Sequence, residues 1–271
     1  MKILKNLYME KKMDEIKEKF LRGEKLEIGL YDIHAHLGGY NRDYPVFDGE
    51  TEKIVEEMER IGIEKAFVPP IGIYGTEWKY QNDKLISDCK KYSDKFYGFS
   101  LVNLNSSEEE IIKEIDRCRK EGIVGIKLIA IYQNYPEDGE KIEVVCEYAN
   151  HYKMPILNHS WGSALFLEKM VKKYPDVFYI CGHFSFGWAE VVNNYENIWL
   201  CTCAHLGYGS IEKMVKEIRN DRICWGSDFS DLHFGFTLGP ILLSDIPDEV
   251  KKKILRENTK SLIENFSSKK S

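Results

Sequence analysis

No two of the seven cysteines, Cys89, Cys118, Cys146, Cys181, Cys201, Cys203 and Cys224, stand in Cys-x-x-Cys spacing, so the chain lacks the common zinc and thiol–disulfide motifs. Buried free thiols are the expectation. Cys201 and Cys203 share one face of a predicted strand and could serve a soft metal, but small apolar packing is the leading reading. Positive charge is also short: the formal net charge is -6, and Lys and Arg are dispersed among acidic residues. No basic stripe is available to neutralise phosphates, which argues against a nucleic-acid partner. Long apolar runs are missing too. Charge breaks the opening Met1–Tyr8 stretch, so neither a signal peptide nor a membrane span is expected, and a cytoplasmic location is. Finally, Gly38-Gly39 does not complete the Gly-x-Gly-x-x-Gly phosphate loop that a doubly wound dinucleotide fold would need.

What the 271 residues do contain is a repeated strand–helix rhythm. A charged helix over 9–22 precedes a first strand ending near Tyr31-Asp32-Ile33-His34, and its place is expected to be outside the core. Apolar strands follow over 65–68, 96–102, 123–129, 155–159, 177–183, 198–203 and 222–228. Helical patterns separate them, among them 51–60, 82–92, a segment opened by the capping box Ser107-Glu108-Glu109-Glu110, and 164–173. Near-continuous apolar strands alternating with amphipathic helices indicate a parallel sheet covered by helices. Eight of them at this length indicate an α/β fold, the closed (β/α)8 TIM barrel, as one domain over 29–271 with a short N-terminal helical extension over 1–28.

Polar residues gather where such a barrel has its mouth. His34 and His36 are two apart and so share a strand face, where two neutral imidazoles can chelate one divalent ion. Lys127, His159, His183 and Asp228 fall at or near the carboxyl ends of other predicted strands. Three or more imidazoles converging with a carboxylate point to a metal site.

Six stretches carry a family resemblance: Asp32-Ile33-His34-Ala35-His36-Leu37-Gly38, Gly125-Ile126-Lys127-Leu128, Asn158-His159-Ser160, Cys181-Gly182-His183-Phe184, Gly226-Ser227-Asp228-Phe229, and Glu257-Asn258-Thr259-Lys260-Ser261-Leu262. Together they resemble successive motifs of the amidohydrolase superfamily, closest to the amidohydrolase-related branch that includes aminocarboxymuconate-semialdehyde decarboxylase. The resemblance implies metal ligation by His34, His36, His159 and Asp228, with His183 and Asp228 as catalytic groups. It implies one divalent metal ion, with zinc expected from three nitrogen donors and one oxygen. In other branches a lysine on the fourth strand is carbamylated and bridges two metals; here Lys127 is expected to be unmodified. The superfamily's deoxyribonucleases carry a glutamate at that strand, a further argument against DNA.

Other residues on the mouth side are candidates for touching substrate. Lys127 and Arg42 supply positive charge, Trp78 and Trp161 supply aromatic surface among loops that also hold Tyr74, Tyr80, Tyr132, Tyr135, Phe184 and Phe186, and His205 and His233 follow the seventh and eighth strands. His151 is read as a solvated helix end. The expected activity is hydrolysis of a small-molecule ester, lactone or amide, because only a short loop is foreseen between Asp228 and Asp248 and few cations ring the mouth. The alternatives are non-oxidative decarboxylation or hydration of a small aromatic or unsaturated carboxylic acid, and a non-catalytic barrel that binds a small molecule. The expected partner is a small-molecule substrate, and a homo-oligomer is left open.

Overall fold

The computed structural model describes residues 13–38, 49–72, 76–229 and 232–268. Arg42 and Tyr74 lie outside them. Eight strands run parallel and in chain order around one sheet: β1 (Leu30–Asp32), β2 (Ile63–Val68), β3 (Phe96–Leu101), β4 (Gly125–Leu128), β5 (Pro155–Asn158), β6 (Phe178–Cys181), β7 (Ile198–Cys201) and β8 (Ile223–Cys224). The helices are α1 (13–21), α2 (Thr51–Ile61), α3 (Trp78–Lys91), α4 (Glu108–Lys120), α5 (Glu140–Tyr152), α6 (Ala164–Lys173), α7 (Ala189–Asn194), α8 (Ser210–Glu217), α9 (Phe234–Leu242), α10 (Asp248–Lys252) and α11 (Asn258–Ser268). This is the (β/α)8 barrel that the rhythm of the sequence implies. Among the described residues no helix is long and apolar enough to cross a membrane.

Local signals place the elements. Ser107 Oγ accepts from Glu110 N at 3.2 Å, so the expected box does cap α4, and Gly62 takes φ 101° to end α2. The barrel closes without a full β8–β1 ladder. Ile33 N donates to Trp225 O at 3.0 Å, Asp228 N donates to His34 O at 2.7 Å, and Ala35 bridges Phe229. Side chains seal the same seam: the buried Asp32 carboxylate accepts from His34 N and Ser227 N, each at 3.0 Å, and from Ser227 Oγ at 2.5 Å.

Inside the barrel, Ile33, Phe67, Phe99, Leu157, Ile180, Trp199 and Cys201 form one apolar stack. Leu262 and Phe266 of α11 join it beside strand-start residues such as Tyr31 and Phe178, so the carboxyl-terminal helix plugs the end opposite the mouth. Each such aromatic or leucine contributes about 1.5–3 kcal/mol by leaving water. All seven cysteines are free, six of them buried.

Three expectations change. The strands end sooner than their apolar runs, β8 most of all, so His159, His183, Cys203 and Asp228 sit just past strand ends rather than on them. α1 does not lie outside the core: Met13 and Ile16 are buried in the same cluster as the barrel's helical layer. The segment after Asp228 is not simply a loop, because α9 occupies it. Gly235, Gly239 and Pro240 disguise that helix in sequence, while His233 Nδ1 caps it by accepting from Gly235 N at 3.0 Å.

Asn258, in the last of the six motifs, donates from Nδ2 to Asn220 O and to Ile223 O, each at 2.7 Å, and so ties α11 to the start of β8. Asn258→Ala leaves two carbonyls without that donor and is expected to cost about 2–3 kcal/mol. Urea unfolding of the variant checks this, and an unchanged midpoint would contradict it.

Candidate metal centre

The mouth residues converge because the strands deliver them to one level. Nε2 of His36 lies 3.2 Å from Asp228 Oδ1, and Nε2 of His34 lies 3.4 Å from the same oxygen. His183 Nε2 is 3.6 Å from Asp228 Oδ2. Donor atoms of His34, His183, Cys203 and Asp228 all fall within 4.8 Å of one another. His159 stacks beside this group, its ring 4.2 Å from that of His183 and 5.0 Å from Tyr132. Lys127, 1% exposed, brings Nζ to 2.8 Å from His34 Nε2.

Two glycines make the closeness possible. A Cβ on Gly226 would run into Cys201 and His34, and one on Gly182 would crowd Asn158 O and the His34 ring. Asp228 itself adopts φ 54°, a conformation uncommon outside glycine and asparagine, which turns its carboxylate back over β1.

Electrostatics follow from burial. Desolvation, with Lys127 adding to it, holds His34 well below the ordinary imidazole value, and desolvation with His183 and Lys127 takes His159 down to about 2. His183 is also lowered by burial, against the opposing pull of Asp228. Burial works to raise the Asp228 carboxyl, yet His34, His36 and His183 together hold it well below the usual carboxylate range. Burial lifts Asp32 to about 7, partly offset by its three donors. The Cys203 thiol is pushed well above its usual range by burial.

These donors suit a cation. Oxygen–nitrogen separations of 3.2 and 3.4 Å match the ~3.3 Å edge expected of ligands ~2.0–2.1 Å from a tetrahedral ion. The Lys127 ammonium already places positive charge against His34 Nε2, and the set of imidazoles and a carboxylate could hold a metal.

The amidohydrolase family model matches residues 31–263, which spans the barrel and every one of these residues. The chain belongs to the amidohydrolase family. No curated protein sequence matches it. Among solved structures, it is similar to a dihydroxybenzoic acid decarboxylase from Polaromonas sp. JS666 with bound manganese and the inhibitor 2-nitroresorcinol, at 17% identity over 87% of this chain and 97% of that one, TM-score 0.71. It is similar to 5-carboxyvanillate decarboxylase from Sphingomonas paucimobilis, at 12% identity over 88% and 99%, TM-score 0.65. A third is 4-oxalomesaconate hydratase from Rhodopseudomonas palustris, at 14% identity over 88% and 97%, TM-score 0.64. At such identities the likeness is one of fold.

The remaining candidates of this amidohydrolase divide. Trp161 is fully buried, donates from Nε1 to Ile180 O at 3.3 Å and packs on Tyr179, so it is core and does not line a mouth. Trp78 opens α3 and is buried with Leu101, the last residue of β3, and Ile129, the first after β4. His205 is held between Phe184 and Phe186, its Nε2 3.0 Å from Phe184 O. His233 is exposed, caps α9 and faces Glu57 at 3.6 Å, apart from the cluster. Two residues that the sequence named only in passing, one among the mouth aromatics and one as a small buried thiol, stand against the site. Tyr132 flanks His159, and Cys203 faces His34 and His183; the alternation Cys201, Cys203 was the available signal.

The charge balance predicts an acid-sensitive fold. Below the unfolded imidazole value of ~6.5, the unfolded chain takes up protons on His34 and His159 that the folded chain refuses, whereas between ~4 and ~7 the folded chain keeps one on Asp32 that the unfolded chain releases. His183, also lowered, adds to the difference, so the unfolded state binds more protons and the stability of the metal-free protein rises with pH from ~4.5 towards ~6. Urea midpoints of chelator-treated protein across that range check it. A flat or falling profile would contradict it.

Proposed function

We propose that this amidohydrolase is a metal-dependent non-oxidative decarboxylase of a small aromatic or unsaturated carboxylic acid, with His34, His36, His159 and Asp228 as ligands of one divalent ion such as zinc. The observation that carries the reading is the contrast in exposure around Asp228. The side chains of His34 and His36 are 0% and 3% exposed, whereas His183, facing Asp228 Oδ2, is 25% exposed. A substrate arriving from the mouth would meet the His183 imidazole first, with the buried His34, His36 and Asp228 beneath it.

The bound ion would supply a fixed positive charge that orients the substrate's oxygens and stabilises negative charge developing on them. In decarboxylation the carbon–carboxylate bond breaks, its electron pair stays on carbon, and that carbon gains a proton as carbon dioxide leaves. His183 Nε2 is placed to hold and pass that proton: burial, the larger effect, makes the ring give it up readily, and Asp228 Oδ2 partly offsets that. Lys127 adds a buried ammonium beneath the site, which favours an anionic ligand. Phe229, next to Asp228, stacks on Phe234 at 4.2 Å, an apolar pair beside the carboxylate.

The hydrolytic expectation rested on a short loop after Asp228 and on few cations at the mouth; α9 occupies that segment, which weakens the first of these grounds. The fold shared with two decarboxylases and a hydratase supports the lyase reading further.

Metal-loaded protein incubated in deuterium oxide with hydroxybenzoic and unsaturated acids should release carbon dioxide and leave one deuterium on the carbon that lost it. Turnover of lactones or esters, with no carbon dioxide from any acid, would overturn the reading. His183→Asn should lower turnover roughly 10²–10⁴-fold while metal content by elemental analysis stays unchanged. Loss of the metal in that variant would place His183 among the ligands instead.

A further inference from the structure

The reading above gives no role to the thiol contributed after β7. Cys203 is fully buried at that position, just past Cys201, and it faces the centre. Its Sγ lies 3.7 Å from His34 Nδ1 and 3.6 Å from His183 Nδ1, and it donates to Gly182 O at 3.0 Å. A single sulfur therefore touches two of the mouth imidazoles on the sides turned away from Asp228.

The hydrogen bonds around His34 can be followed atom by atom. Two groups face His34 Nε2, Lys127 Nζ at 2.8 Å and Asp228 Oδ1 at 3.4 Å; an ammonium has donors and no acceptor, so the closer of the two calls for a lone pair on that nitrogen. A neutral ring with that lone pair carries its hydrogen on Nδ1. The atom facing Nδ1 is Cys203 Sγ, whose own hydrogen is directed at Gly182 O, which leaves sulfur lone pairs to accept. Gly182 keeps the ring and sulfur close, since a Cβ there would press on His34 Cε1 and Nδ1.

We propose that Cys203 is a positioning residue, a thiol that accepts from His34 Nδ1–H, so fixes the ring as the tautomer whose Nε2 lone pair faces the cation site, and spaces His34 from His183. Metal-binding histidines commonly have their second nitrogen tied to a carboxylate or carbonyl oxygen; here a sulfur takes that place. The inference rests on the proposed ligand role of His34, but its first test needs neither metal nor substrate and can fail or succeed independently of the reaction class.

Long-range ¹H–¹⁵N correlation spectra of the metal-free protein report the tautomer directly. His34 is expected protonated on Nδ1 and bare on Nε2; the opposite tautomer would overturn the proposal. Isothermal titration with zinc gives the second readout. Cys203→Ala should bind roughly 10–100-fold more weakly, with Cys203→Ser, whose hydroxyl also accepts, recovering most of the loss. Unchanged affinity in a folded Cys203→Ala protein would overturn the positioning role. Cobalt substitution separates positioning from ligation: the spectrum should lack a near-ultraviolet thiolate-to-cobalt charge-transfer band, and its presence would make Cys203 a ligand and sink the inference.

Discussion

The seam between the first and last strands is the constraint on which the site depends. β8 pairs with β7 over two residues and then leaves the ladder, and its continuation folds across β1 through Asp228 N on His34 O and Ser227 on Asp32. That crossing determines where the Asp228 carboxylate stands relative to His34 and His36. It also explains the backbone: φ 54° at Asp228 is unfavourable by itself and persists because hydrogen bonds on both sides of it are already committed. Gly226, which no side chain could replace without displacing His34 or Cys201, lets the strands approach closely enough for the crossing.

Charge is the second constraint, and it follows from the first. A carboxylate taken out of water is costly unless opposite charge and donors surround it. Asp228 is enclosed by three imidazoles, with the Lys127 ammonium behind His34. Buried imidazoles around an anionic carboxylate form a group that gains by accepting a cation, and the burial that penalises protonation of His34 in the metal-free protein leaves its ring free to bind metal. Beside this group stand the partly open ring of His183 and the ring of Tyr132 against His159.

Much of this was legible in the chain itself, for a physical reason. Parallel barrel strands are buried on both faces and read as apolar runs, so Phe96–Leu101 and Pro155–Asn158 stand out, and Ser107 announces its helix by its own chemistry. His34 and His36 were readable because strand alternation is strict. What stayed hidden depends on geometry that alternation does not encode. Where each ladder stops depends on the pairing register of its neighbours and not on the apolar run alone, so His159 and His183 lie beyond strands that their sequence runs seemed to include. The glycines and proline of α9 weaken helical propensity, and packing of Phe234 and Leu238 overrides it. Trp161, placed by sequence among the mouth aromatics, packs inward on Tyr179. Cys203 looked like any small buried thiol until its neighbours across three strands were known.

The central claim is that one cation sits where the Nε2 atoms of His34 and His36 meet Asp228 Oδ1. A crystal of metal-loaded protein, with anomalous data collected on both sides of the metal's absorption edge, tests it most directly. The account predicts a single peak per chain within bonding distance of those three atoms, with Lys127 Nζ withdrawn from His34 Nε2. Two peaks bridged at Lys127, or one peak bonded to Cys203 Sγ, would contradict it.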